Sequence, residues 1–175
     1  MLNELIPLSI ICIILLSLVI ASFSLAPWVP TKKKDLKLIN KVANLKEGQT
    51  FLEMGCGNGR VSCFIARKNP KAKVVGIELA YVLYLLTAIR VLIAGPKNTK
   101  IKFGNALKYD ISKVDVIYVF GLIETVNKQV KEKVLKEMKP GAKLISYCFS
   151  MKEWPGQTTI HRANGKANKI MEYRL

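Results

Sequence analysis

The chain has 175 residues, enough for one domain with a short appendage, and its 28 Lys and Arg against 12 Asp and Glu give a formal net charge of +16. Half of the residues are hydrophobic, which excludes a disordered basic tail, and the composition fits neither a disulfide scaffold nor a collagen-like chain. The two properties are segregated. Residues 1–30 contain no Lys or Arg and one acid, Glu4, so residues 31–175 carry all the basic charge.

Leu5 to Ala26 is a run without any charge. As a helix it reaches about 33 Å, the thickness of a bilayer's hydrocarbon core. A cleaved signal peptide would need a positive stretch before it, and residues 1–4 have no Lys or Arg. Residues 5–26 are therefore expected to be a retained transmembrane helix in contact with the lipid bilayer. Pro7 falls in its first turn. Lys32, Lys33 and Lys34 follow at once, and the excess of positive charge predicts a single-pass membrane protein with its C-terminal domain in the cytoplasm. From Thr31 to Lys46 six Lys stand against Asp35, a patch that suits anionic lipid headgroups or serves only as a topology signal and solvated face. The domain organisation read here is an anchor over 1–30 and a globular domain over 31–175.

Within the globular part, apolar spacing predicts an amphipathic helix over Asp35 to Leu45, then a strand over Thr50 to Met54. Gly55 to Gly59 is a glycine-rich loop, and Asn58 is expected to cap a helix running to about Lys68. A second strand covers Ala72 to Leu79. Tyr81 to Ala94 is a very apolar helix whose one charge is Arg90; it is too short to span a membrane. Packing on the sheet is the default for it, with partial immersion in a headgroup layer as the alternative. Lys100 to Phe103 and Val114 to Phe120 read as the third and fourth strands, the latter buried on both faces. Ile123 to Met138 reads as a charged helix, Ala142 to Phe149 as the fifth strand, and Asn164-Gly165 as the turn of a closing hairpin. Strands alternating with helices predict an α/β, Rossmann-like, doubly wound fold. Its sheet is mostly parallel with an antiparallel C-terminal hairpin, and one transmembrane helix precedes it.

The cysteines, Cys12, Cys56, Cys63 and Cys148, fit no zinc spacing, and no metal site is expected. His161 is the only histidine, with no nucleophile elbow near it. The informative stretch runs from Phe51 to Arg60. A strand bearing Glu53 feeds glycines at 55, 57 and 59, and then a helix begins. A dinucleotide fingerprint would need glycine at position 60, which is Arg. A carboxylate beside such a loop suits a cationic amine rather than a pyrophosphate. About 20 residues on, Glu78 ends the second strand, where an acid accepts bonds from both ribose hydroxyls. Two acids and a glycine loop match adenosine with a positively charged amino-acid tail, which is S-adenosylmethionine.

This pattern resembles class I methyltransferases over nearly all of Thr31 to Leu175. The resemblance implies a seven-stranded fold with Glu53, Gly55, Gly57 and Gly59 in the first cofactor motif and Glu78 on the ribose. It also implies Asn105 near the adenine, where many relatives have Asp, and Phe120 and Gly121 beside the methyl group. Ala26-Pro27-Trp28-Val29-Pro30-Thr31, Gly57-Asn58-Gly59-Arg60-Val61, Val119-Phe120-Gly121 and Cys148 to Trp154 together are similar to a narrower group. These are the small membrane-anchored lysine methyltransferases of the ATP synthase c-subunit and the adenine nucleotide translocase. That likeness implies lysine N-methylation of a membrane-protein substrate, with Pro30 and Thr31 covering the cofactor. The chain departs from the group at Asn58, where Asp is common, and after Gly121, where a Pro is usual.

For the acceptor side, Glu124 is a candidate to orient or deprotonate an amine; as a carboxylate in a first helical turn it also simply favours the helix dipole. Trp154 is a candidate to line a channel for a methylated ammonium, and Tyr147 and Phe149 read equally well as core. Two other functions remain open. One is methylation of a lipid or quinone; the other is a non-catalytic basic module binding membrane or RNA. The chain lacks an aromatic-rich RNA-binding signature, so a nucleic-acid partner is not expected.

Overall fold

The apolar runs become strands, and the central one is apolar throughout because both its faces are covered. The computed structural model describes residues 5–9, 11–12, 15–16, 19, 29–162 and 168–175. Its elements are α1 (Leu36–Ala43), β1 (Thr50–Met54), α2 (Arg60–Lys68), β2 (Lys73–Glu78), α3 (Tyr81–Ala94), β3 (Thr99–Phe103), β4 (Val116–Val119), a helix α4 over 123–137, β5 (Lys143–Tyr147), β6 (Gln157–His161) and β7 (Ile170–Arg174). The seven strands form one sheet in the order β3-β2-β1-β4-β5-β7-β6. The first five are parallel and the last two antiparallel. The strand order reverses between β1 and β4, and the loops after these two strands form the crevice in which such sheets bind ligands.

Alternation along each strand divides the core in two. Phe51, Val74, Tyr118, Ile145 and Tyr147 face α1 and α2. Leu52, Ile117, Val119, Leu144 and Met171 face α4. Each side chain of this size is worth about 1.5–3 kcal/mol when fully buried. α3 lies on β3, with Tyr81 and Tyr84 against the Phe103 ring at 5.3 and 5.5 Å. Between β3 and β4 the only described helical structure is the short turn Ala106–Lys108.

Several boundaries differ from the sequence expectation, each for a visible reason. A 3-10 turn, Lys33–Asp35, precedes α1, and Asn44 ends it in the left-handed region at φ 41°. Gly59, not Asn58, takes the cap position of α2; the Asn58 side chain instead accepts from the Arg60 N–H at 3.2 Å. β4 covers only Val116–Val119; just before it the Asp115 carboxylate accepts from the Thr50 N–H at 2.7 Å and pairs with Lys139 at 2.7 Å. α4 widens into a π-turn over Val126–Val130. There the Asn127 amide donates to the carbonyls of Ile123 (2.9 Å) and Ser150 (3.2 Å) and its oxygen accepts from the Lys152 N–H (2.7 Å). A side chain competing for the helix ladder in this way is a known cause of such widening.

The closing strands pair from Gln157 with Arg174 to His161 with Ile170; the expected Asn164-Gly165 turn lies outside the described residues. Most of the expected span over 5–26 also lies outside them. Its described residues are helical and exposed, and no helix among the described residues is long and apolar enough to cross a membrane.

The entry to the domain is fastened by a buried polar cluster. Tyr147 donates to Asp35 Oδ2 at 2.6 Å, and Asn168 donates to the Tyr147 oxygen at 2.5 Å. Asp35 Oδ1 has no hydrogen-bond partner among the described residues. Burial, and then the bond to Asp35, push the Tyr147 phenol above its ordinary value. Tyr147→Phe deprives Asp35 of its one short bond, and urea unfolding should show a loss of about 1–3 kcal/mol.

Candidate active site

Glu53 is 4 % exposed near the end of β1, and its Oε2 accepts from both the Ser62 N–H (2.8 Å) and the Ser62 hydroxyl (2.6 Å). Burial dominates over these bonds and raises its pKa from 4.5 to about 8, and the nearby Glu78 adds to the rise. A carboxyl held this way gains from a cation brought next to it. The next turn begins with the N–H groups of Gly55 and Cys56 on the Ile77 carbonyl at 3.0 and 2.8 Å. Gly55, Gly57 and Gly59 all have positive φ, at 75°, 52° and 65°, the region in which glycine carries no side-chain penalty. At Gly59 a Cβ would also stand 2.8 Å from Thr87 Cγ2.

Glu78, at the tip of β2, is 7 % exposed. One oxygen accepts from the Gly57 N–H at 2.7 Å and the other from the Ala80 N–H at 2.8 Å. Each oxygen keeps a further lone pair for a ligand hydroxyl. From the other side α3 grips the same loop. Thr87 donates to the Gly57 carbonyl at 2.8 Å, and Arg90 donates to the Asn58 carbonyl.

The segment before α1 crosses the end of β4. The Thr31 hydroxyl is hydrogen-bonded to the Tyr118 hydroxyl at 2.8 Å, and Arg60 donates to the Thr31 carbonyl at 2.8 Å. Tyr118 is the register partner of Glu53, so the structure brings Thr31 to the strand beside the buried acid. Pro30 is exposed next to it. Gly121 is buried after β4, and Phe120 meets Tyr147 edge-on at 4.8 Å with Phe149 at 6.3 Å. Asn105 follows β3 and its oxygen accepts from the Leu107 N–H at 2.9 Å.

Two expected acceptor-side residues remain. Glu124 is exposed in the first turn of α4. Trp154 packs on Tyr173 at 5.1 Å and donates its indole N–H to the Arg174 carbonyl at 2.9 Å. It is fastened to β7, the strand next to β5. Ser62, Arg60, Tyr118, Thr87 and Arg90 are the residues that sequence reasoning missed. Thr87 and Arg90 did carry a signal, since they are polar and three residues apart in an otherwise apolar helix.

The arrangement offers a carboxyl for an ammonium group, a side-chain-free backbone turn, and an acid at a strand tip for vicinal hydroxyls. These fit S-adenosylmethionine, and fold and site together define a class I methyltransferase that uses this cofactor. A family model described as the ANTKMT methyltransferase domain matches residues 53–158. A protein-lysine N-methyltransferase from Saccharolobus islandicus (strain REY15A) is 30% identical over 148 residues, 81% of this chain and 88% of that protein. The solved RNA methyltransferase from Salinibacter ruber, in complex with S-adenosyl-L-homocysteine, has TM-score 0.74 at 24% identity, covering 83% of this chain and 92% of its own. A SAM-dependent O-methyltransferase from Thermotoga maritima has TM-score 0.66 at 15% identity, covering 85% and 67%. The chain belongs to the ANTKMT methyltransferase domain family.

The raised pKa of Glu53 makes apo stability pH-dependent. The folded state binds this proton more tightly than the unfolded one. The contribution is therefore complete below pH 4.5 and is lost as pH rises towards about 8. Urea midpoints should fall across that window in the wild type, and Glu53→Gln should flatten this fall.

Proposed function

We propose that this protein transfers methyl groups to the side-chain amine of a lysine on a membrane protein, while residues 5–26 hold it in the bilayer with the domain of 31–175 on the cytoplasmic side. The observation that carries the acceptor is the pair of part-exposed rings, Phe120 and Phe149, 6.3 Å apart at the ends of β4 and β5 and backed by the buried Tyr147. Aromatic faces favour alkylammonium groups. The activity named for the Saccharolobus islandicus relative supports the same acceptor. The uncharged run before Lys32, Lys33 and Lys34 supports the tether and the orientation.

In this reading Glu53 meets the cofactor ammonium, and the backbone of Gly55, Gly57 and Gly59 lies against the amino-acid tail. Glu78 holds the ribose, Asn105 borders the adenine, and Phe120 and Gly121 border the methyl group. Pro30 and Thr31 form the cover, fixed by Tyr118 and Arg60. S-adenosylmethionine supplies an electrophilic methyl on a sulfonium. The acceptor must arrive with a free lone pair, so its ammonium first gives up a proton. Glu124, exposed two residues beyond Leu122, receives that proton. Alignment of the amine by these two rings supplies much of the rate.

The test is methyl transfer from labelled S-adenosylmethionine into native membranes, separated into lipid, protein and RNA. Label on lysine in a protein band is the expected result; label in lipid would replace the acceptor, and no label in any fraction would overturn the proposal. Glu78→Ala should weaken cofactor binding by more than tenfold in calorimetry with the domain still folded. Glu124→Gln should lower kcat by about 10²-fold, the scale of general base catalysis, with cofactor affinity unchanged.

A further inference from the structure

α3 is apolar along most of its length, yet Thr87 is its only fully buried residue. Leu85, Leu86, Ile89, Leu92 and Ile93 are exposed, Leu92 at 87 % and Ile93 at 79 %. On a helix these positions form one continuous stripe, with Leu86 and Ile93 adjacent to Arg90 at i−4 and i+3. Beside that margin lies a groove of about 600 Å³ between α1, α2 and α3. Lys33, Arg60, Arg67 and Arg90 line it, and among the described residues no carboxylate does. Four cations in one concavity, bordering an uninterrupted apolar stripe, is the arrangement of a surface that lies in a bilayer interface.

We propose that the groove binds the phosphate of an anionic phospholipid headgroup while the α3 stripe enters the adjoining acyl layer. This rests on the tether proposed above, which it deepens into a docked orientation of the catalytic domain. The occupant follows from charge and from chain order. A second copy is disfavoured, because each chain carries +16 and the groove would meet another basic surface. Lys33 itself lies seven residues after the uncharged run ends at Ala26, so a bilayer that holds that run lies within reach of the groove. Arg60 also holds Thr31. A headgroup in the groove therefore touches the residue that fastens the cover, and membrane contact and cover position share one guanidinium.

The test uses the full chain and two kinds of vesicle, pure phosphatidylcholine and phosphatidylcholine with 30 mol % phosphatidylglycerol. Flotation reads the tether, and hydrogen exchange over Tyr81–Ala94 reads the dock. The expected result is flotation with both vesicles, but at least fivefold slower exchange over α3 on the anionic vesicles alone. Lys33→Glu combined with Arg67→Glu should abolish the slowing while thermal unfolding and cofactor affinity show the variant to be folded. Equal exchange on both vesicles, or slowing that survives the double substitution, overturns the headgroup site and leaves the tether standing. Flotation with the anionic vesicles alone overturns the tether and keeps the site, and flotation with neither overturns both. Single-stranded RNA that displaces the chain from anionic vesicles, and whose binding is lost in the double variant, would assign the groove to nucleic acid instead.

Discussion

The site depends on how one carboxylate, that of Glu78, ties together three pieces of chain. It takes the N–H of Gly57 on one oxygen and that of Ala80 on the other. The loop after β1, the tip of β2 and the start of α3 are thereby fixed to each other. The loop has no strand or helix of its own to satisfy its backbone, and unpaired buried amides are costly. Glu78 serves its N–H side, while Thr87 and Arg90 serve the carbonyls of Gly57 and Asn58. Three alternate glycines with positive φ lose more conformational entropy on ordering than any other residues would. Contacts on both edges offset that loss and leave the loop shaped before a ligand arrives.

Glu53 solves a different problem. Its burial is unfavourable for a carboxylate, and Ser62 compensates only in part, so the group holds its proton up to about pH 8. A core Gln would bury the same volume without that tension. A strongly perturbed carboxyl at the end of a central strand, beside the glycine turn, is a feature of function more than of folding. The segment at Thr31 is bonded to Tyr118, the register partner of Glu53, and so is tied to the strand beside the acid.

The sheet was legible because each strand is a short apolar run between clear breakers, and the glycine loop because its spacing has few other uses. The Glu53, Gly57 and Glu78 neighbourhood followed directly. What could not be read depended on contacts between distant residues. The π-turn of α4 exists because Asn127 reaches Ser150 and Lys152, over twenty residues away. The partners of Trp154, Tyr173 and Arg174, come from a strand that folds back beside β5. Arg90 looked like a lone charge on an apolar helix because its acceptor, the Asn58 carbonyl, belongs to another element. The start of β4 moved for the same reason, since the Asp115 side chain is engaged with Thr50 and Lys139.

α3 shows most clearly which parts of the composition the fold itself needs. Two of its polar residues, Thr87 and Arg90, anchor it to the loop, and Tyr81 and Tyr84 anchor it to Phe103. Those contacts leave Leu92 and Ile93 almost wholly in solvent. A helix selected only for packing would carry polar residues on that side, as α1 does with Lys37 and Lys41 exposed opposite its buried Ile39 and Val42. A contiguous apolar stripe that the core does not use points to a partner outside the domain. The chain contains only 12 acidic residues against 28 basic ones. Such a balance suits the anionic headgroup proposed for the groove beside α3.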